Sequence, residues 1–172
     1  ALDNEKDGFG NFTKARQHQW EFISVSEASV VASVDVELPK NYKIFKFVLD
    51  GVLAATSGAD LLCRTSSNGG STFDSGGSDY IYEHSRVVGG SQTNISSSGS
   101  STFLISQNDR SNSGGTFGEL FIYNADNSSE NTFFITDSTH VGTGATAYNY
   151  KSEGGGRRGA NAIVDAIRFL YD

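Results

Sequence analysis

The sequence predicts an all-β chain, an antiparallel sandwich or barrel of about ten short strands preceded by a charged arm. Three observations lead there. The first is composition: the 172 residues include 20 Gly and 1 Pro, and Ser is abundant, which suits many turns. Long helices are penalised by the same composition, since an interior Gly costs about 1 kcal/mol. Second, short runs alternate apolar and polar side chains with the period of two that marks a half-covered strand. Third, those runs recur roughly every 8–15 residues between clusters of Gly, Ser, Asn and Asp, as in sandwiches and barrels. A chain this long fits one domain that buries roughly 70% of its unfolded surface. Its 12 Phe and 7 Tyr are enough to fill a core.

Residues 1–17, ALDNEKDGFGNFTKARQ, are polar, charged and aperiodic. They read as an N-terminal arm, with Phe9 and Phe12 as anchors against a neighbouring subunit, and residues 18–172 as the sandwich domain. His18–Val25, with Trp20 and Phe22, begins the strand pattern. Ser29–Leu38 places Val30, Ala32, Val34, Val36 and Leu38 on one face against Ser33, Asp35 and Glu37, and Pro39-Lys40-Asn41 ends it. Tyr42–Val52 is apolar on both faces: Phe45, Phe47 and Leu49 on one, Ile44 and Val48 on the other. It is expected to be a central strand covered on both sides, or one that also meets a partner chain.

Ala59–His84 (ADLLCRTSSNGGSTFDSGGSDYIYEH) reads as a decorated β-hairpin, because Asn68-Gly69-Gly70 tolerates the positive φ of a tight connection. Leu61 and Cys63 should be buried, Asn68 exposed at a turn, and Phe73 folded back onto the sheet. Gly89–Ser101 reads as a surface loop, Thr102–Gln107 as a short strand, and Ser111–Gly115 as a turn. Phe117–Asn124 sets Leu120 and Ile122 against Phe117, Glu119, Phe121 and Tyr123, and Thr132–Asp137 puts Phe133 and Ile135 on one face. Thr146–Lys151 is a further strand, Gly154–Gly159 a flexible loop, and Ala162–Tyr171 the last strand. The 163/167/170 spacing of that last run also fits a helical turn, but its β-branched and aromatic content favours a strand.

The formal charge of −7 and pI near 4.9 argue against nucleic acid as a partner, which would need clustered Lys and Arg. Arg157-Arg158 is the nearest approach to a basic patch. No run nears the 18 or so apolar residues of a membrane span, and no signal peptide or lipidation motif is found. The expectation is a soluble chain without membrane insertion and without need of an oxidising compartment. Cys63, the single cysteine, reads as a small core residue.

His18, His84 and His140 have no partners at metal-binding spacing, and no HExxH, CxxC, EF-hand, Walker or G-x-S-x-G pattern occurs. Neither a catalytic residue nor a metal or cofactor site is therefore assigned. Asp60, Asp74, Asp79, Glu83 and Glu119 could in principle supply paired carboxylates for glycoside hydrolysis or oxygen ligands for Ca²⁺. In Gly/Ser loops such acids more often solvate turns. The sequons at Asn11, Asn94 and Asn127 read as chance in a chain so rich in Ser and Thr. Ser66-Ser67-Asn68-Gly69-Gly70-Ser71-Thr72-Phe73 resembles an Asp-box turn with Asn68 in place of the usual Asp. Such boxes are structural turns.

The segments YKIFKFVLDGVLAAT, ADLLCRTSSNGGSTFDSGGSDYIYEH, GELFIYN and NAIVDAIRFLYD together resemble a family of small virion proteins of tailed bacteriophages. The likeness spans about Trp20 to Asp172 and is most specific over residues 42–83. It implies a jelly-roll sandwich on the particle surface, as a capsid decoration (cement) protein or a tail or fibre component. It transfers no catalytic residue. With the doubly apolar Tyr42–Val52 run, it leads to a homotrimer contacting other virion proteins. The alternative is a carbohydrate-binding, lectin-like receptor module, in which Tyr80, Tyr82, Tyr148 and Tyr150 would stack on host-surface glycans.

Overall fold

The computed structural model describes residues 20–29, 31–109, 111, 114–143 and 148–172. Among them there is no helix. Ten strands form: β1 (Ser33–Glu37), β2 (Ile44–Val52), β3 (Ala59–Ser66), β4 (Tyr80–Val88), β5 (Ser91–Ser100), β6 (Phe103–Asp109), β7 (Thr116–Tyr123), β8 (Phe133–Val141), β9 (Asn149–Arg158) and β10 (Ala166–Tyr171). One sheet has the order β1-β10-β3-β6, the other β2-β7-β8-β9-β4-β5, and every pairing is antiparallel.

Setting the β8–β9 pair aside, eight strands remain in jelly-roll order. The first lies beside the last, the third between the last and the sixth, and the second beside the seventh. The β8–β9 pair widens the second sheet to six strands. Between the sheets lies a core of Leu61, Cys63, Tyr80, Phe103, Ile105, Leu120, Ile122, Phe134 and Ile167, all essentially buried. Phe103 stacks on Phe134 at 4.8 Å and joins the two layers.

Several sequence expectations change here. The Ala59–His84 stretch is not a hairpin: β3 and β4 lie in different sheets, so the connection crosses the sandwich. Asn68 does close a local turn. Its side-chain oxygen accepts the Thr72 amide at 3.0 Å, the Ser66 hydroxyl accepts the Gly70 amide at 3.0 Å, and Gly69 and Gly70 take φ of +69° and +78°. Leu61 and Cys63 are buried, Asn68 is exposed, and Phe73 is half-buried under the Arg168 guanidinium of β10, 4.2 Å from its ring centre.

The true tight hairpin lies further on. Val88 pairs with Ser91 across Gly89-Gly90, both with positive φ, the geometry of a primed two-residue turn. The Ser/Gly run expected to be a loop is thereby drawn into register as β5, a polar edge strand. The expected Gly154–Gly159 loop is also strand, the end of β9, because its neighbours need the space a side chain would fill. A Cβ on Gly156 would lie 2.3 Å from the Ile81 carbonyl oxygen, and one on Gly154 2.5 Å from His84 Cγ.

The Tyr42–Val52 run supplies β2 from Ile44 on, at an edge of the six-stranded sheet and not its centre, and Ile44 and Val48 face outward in solvent. The segment 20–29 is not a strand, having no ladder partner among the described residues. The total of ten agrees with expectation because the loss of this strand offsets the gain of β5. Val30 and His18, and the arm with Phe9 and Phe12, lie outside the described residues.

Candidate functional site

The six-stranded sheet carries the two arrangements with chemical content, one on each face. Alternation along β8 aims Phe134, Thr136, Ser138 and His140 inward, and all four are buried. Register sets Thr136 beside Gly154, Ser138 beside Ser152 and His140 beside Tyr150, and β4 adds His84 opposite Gly154. A polar patch so formed faces β6, the last strand of the smaller sheet. An edge strand leaves backbone groups unpaired, and here side chains of the opposite sheet take them up. Ser138 Oγ donates to the Ile105 carbonyl at 3.2 Å, and His140 Nε2 lies 2.9 Å from the Gln107 carbonyl.

Asp109, at the end of β6, gathers the cluster. Its Oδ1 lies 3.0 Å from His140 Nε2, and its Oδ2 accepts from Ser106 Oγ at 2.8 Å and Thr116 Oγ1 at 2.6 Å. The Tyr171 hydroxyl sits between Asp109 Oδ2 at 3.0 Å and the Val52 carbonyl at 2.9 Å. Since Nε2 faces two acceptors, that nitrogen carries the proton. Burial holds the His140 imidazole below its ordinary titration range, with Asp109 and the Gln107 carbonyl opposing the shift. Among the described residues His84 has no well-formed hydrogen bond at either nitrogen, and it packs between Tyr82 and Phe103. Burial pushes its pKa down to about 4.

An Asp–His pair invites comparison with a catalytic triad, but the geometry is wrong for one. The hydroxyls of Ser106, Thr116 and Tyr171 bond the carboxylate, and His140 Nδ1 is buried without a hydrogen-bond partner among the described residues. What the cluster can do is tie β6, β7, β8 and β10 together across the sandwich.

The outer face of the same sheet holds two adjoining rows rich in exposed apolar side chains. The register aligns Ile44, Tyr123, Phe133, Arg157 and Ile81 in one row and Lys46, Phe121, Ile135, Gly155 and Glu83 in the next. Phe133 is 46% and Ile135 51% exposed. Trp20 lays its ring against Phe121 at 6.0 Å, and Glu21 accepts a hydrogen bond from the Tyr42 hydroxyl. Beyond Trp20 the segment holds Phe22 and Val25 out in solvent, 80% and 74% exposed.

The acids singled out in the sequence are dispersed. Asp74 forms an ion pair with the buried Arg158 at 2.7 Å and accepts from Thr65 Oγ1, while Asp79 accepts the Gly76 amide. Asp60 accepts the Asn108 amide, Glu119 pairs with Lys46, and Glu83 faces solvent. Among the described residues no three His, Cys, Asp or Glu side chains are grouped to hold a metal ion. Nor does any helix among them suffice to cross a membrane.

The four tyrosines do not form one platform. Tyr80 is wholly buried with its hydroxyl accepting the Thr65 amide at 2.6 Å, and Tyr150 is buried beside His140. Tyr82 is half-buried on the inner face, and Tyr148 alone is well exposed. Sequence reasoning missed Asp109, His140 and the outer Phe133–Ile135 pair as features. Alternation in FFITDSTH was legible, but which face would be covered was not. The chain matches no family model, no curated protein and no solved structure.

Proposed function

We propose that the chain is a non-enzymatic structural protein of the bacteriophage particle surface, a capsid decoration protein or a tail or fibre component that works through protein–protein contacts. The observation that carries this reading is the outer face of the six-stranded sheet, where Ile44, Val48, Phe133 and Ile135 stand in solvent on a regular, rigid surface. Contiguous exposed apolar surface on a folded domain marks a contact site. The histidines with perturbed surroundings, by contrast, are buried between the sheets. The resemblance of residues 20–172 to phage virion proteins supplies the setting.

Binding to particles tests it. Purified chain should co-sediment with phage particles, or with their isolated heads or tails, from the phage whose genome encodes it. Failure to bind any of these would overturn the reading. The part that binds, and the position of the reading frame among head or tail genes, separates decoration from tail.

A further inference from the structure

We propose that a second copy of this chain covers the outer face of the six-stranded sheet, and that the exposed apolar segment 20–25 of one copy packs on that face of the other. The proposal rests on the surface-contact reading above and names its first partner.

Three observations converge on a second copy. The first is that face and segment already fit each other. Within one chain Trp20 lies on Phe121, in the row that also holds Ile135. One aromatic of the segment is therefore seated, while Phe22 and Val25 beyond it are left in water. Second, both halves of a match lie among the described residues, and Phe22, Val25, Phe133 and Ile135 remain well exposed. A partner of another kind could cover the sheet face and leave the segment, or the reverse. An identical chain covers both, because each copy brings both to the contact.

The third observation is charge. Two copies of a chain at −7 repel, so contact is easiest where local charge is lowest. The two apolar rows carry Lys46, Arg157 and Glu83, two cations against one carboxylate. The next row holds Glu119, Asp137 and Glu153, and these are partly neutralised in place. Lys46 pairs with Glu119, and Lys151 Nζ lies 2.6 Å from Asp137 and 3.5 Å from Glu153. The two rows are thus a largely apolar field on a sheet face whose charges nearly balance, on an acidic molecule.

Sedimentation velocity of the full chain over a hundredfold concentration range tests this, with the urea midpoint as a check on folding. The wild type should sediment as a closed oligomer. Ile135→Glu, which sets a charge in the middle of the field, should reduce it to a monomer that still unfolds in one cooperative urea transition, with a midpoint lower by no more than lost association accounts for. Should Ile135→Glu fail to fold, Phe22→Ser serves instead, because Phe22 lies outside any strand; it should weaken association at least tenfold. A wild type that is monomeric throughout, or an oligomer that survives Ile135→Glu or Phe22→Ser in folded protein, would overturn the proposal. Particle binding is a separate readout. An oligomer that ignores phage particles would sink the virion reading and leave this interface standing, and a monomer that binds them would do the opposite.

Discussion

The two faces of the six-stranded sheet invert the usual relation between polarity and burial. On β8, Phe133 and Ile135 meet solvent while Thr136, Ser138 and His140 are buried. The inner face is polar at this place because it lies against the open edge of β6, whose carbonyls at Ile105 and Gln107 would otherwise be buried without partners. The outer face exposes Ile44, Val48, Phe133 and Ile135, and among the described residues little covers them. Burial here follows position in the topology, and side-chain chemistry follows what each position must satisfy: backbone hydrogen bonds inside, a contact surface outside.

Breaking the inner cluster should have the largest effect. Asp109→Ala removes the acceptor of Ser106 and Thr116 and leaves His140 without its carboxylate. Each buried donor left without an acceptor costs about 1–3 kcal/mol, and Ser106 and Thr116 both lose theirs here, so the urea midpoint should fall accordingly. A loss under about 1 kcal/mol would mean that the cluster does not hold the sheets together. The neighbouring pair on β8 sharpens the contrast between faces. Phe134→Ala should cost about 3–5 kcal/mol, as for other large core truncations. Phe133→Ala, one residue away, should stay within about 1 kcal/mol by the same assay at concentrations where both proteins are monomeric. Equal losses would refute the assignment of inside and outside.

Between about pH 7.5 and 4, acid should act chiefly through the histidines of the inner face. His84 titrates near 4 in the fold and near its ordinary 6.5 when unfolded, so between these values the unfolded chain binds more protons. Stability is therefore fully present above about pH 6.5, falls as the pH drops toward about 4, and loses no more from this group below that. The shift corresponds to about 3 kcal/mol. His140 is displaced in the same direction and adds to the slope, with Asp109 opposing. Urea midpoints measured from pH 7.5 to 4 should show the decline, and His84→Leu should remove much of it. An unchanged slope in that variant would place the acid sensitivity elsewhere.

Legibility in the sequence divides along the same line. Alternation in TFGELFIY separated Leu120 and Ile122 from Phe117, Phe121 and Tyr123 without choosing the covered side, and Leu61 and Cys63 were identifiable as core from their apolar run. In FFITDSTH both phases of the alternation hold large apolar groups at one end and small polar groups at the other, so pattern alone does not choose the covered side. Tertiary pairing decides it. The turn signals were similarly local: Asn68-Gly69-Gly70 does turn, but whether a turn joins neighbours in one sheet or carries the chain to the other depends on partners far away in sequence. Glycines 154–156 looked like a loop because their reason for being small, His84, Tyr82 and Phe103 packed against the backbone, lies on other strands.

The smallest effect on folding belongs to the outer-face ion pairs, and it distinguishes the faces most finely. Lys151 is half exposed, and its contacts with Asp137 and Glu153 raise its pKa. Exposed pairs of this kind contribute about 0–1 kcal/mol, so Lys151→Ala should leave the urea midpoint nearly unchanged. Its consequence should fall on association. Asp137 and Glu153 are direct cross-strand neighbours, and Glu119 adjoins Asp137 in the same row, so losing Lys151 leaves three carboxylates side by side on the face proposed to meet a second copy. Sedimentation velocity should show weakened self-association at about 0.01 M salt, where charges reach about 30 Å, and recovery near 1 M, where they reach about 3 Å. Ile135→Glu should not recover in salt to the same degree, because it buries a charge in the apolar field as well as adding repulsion. If both variants respond to salt alike, repulsion alone governs the contact and the apolar rows contribute little to it.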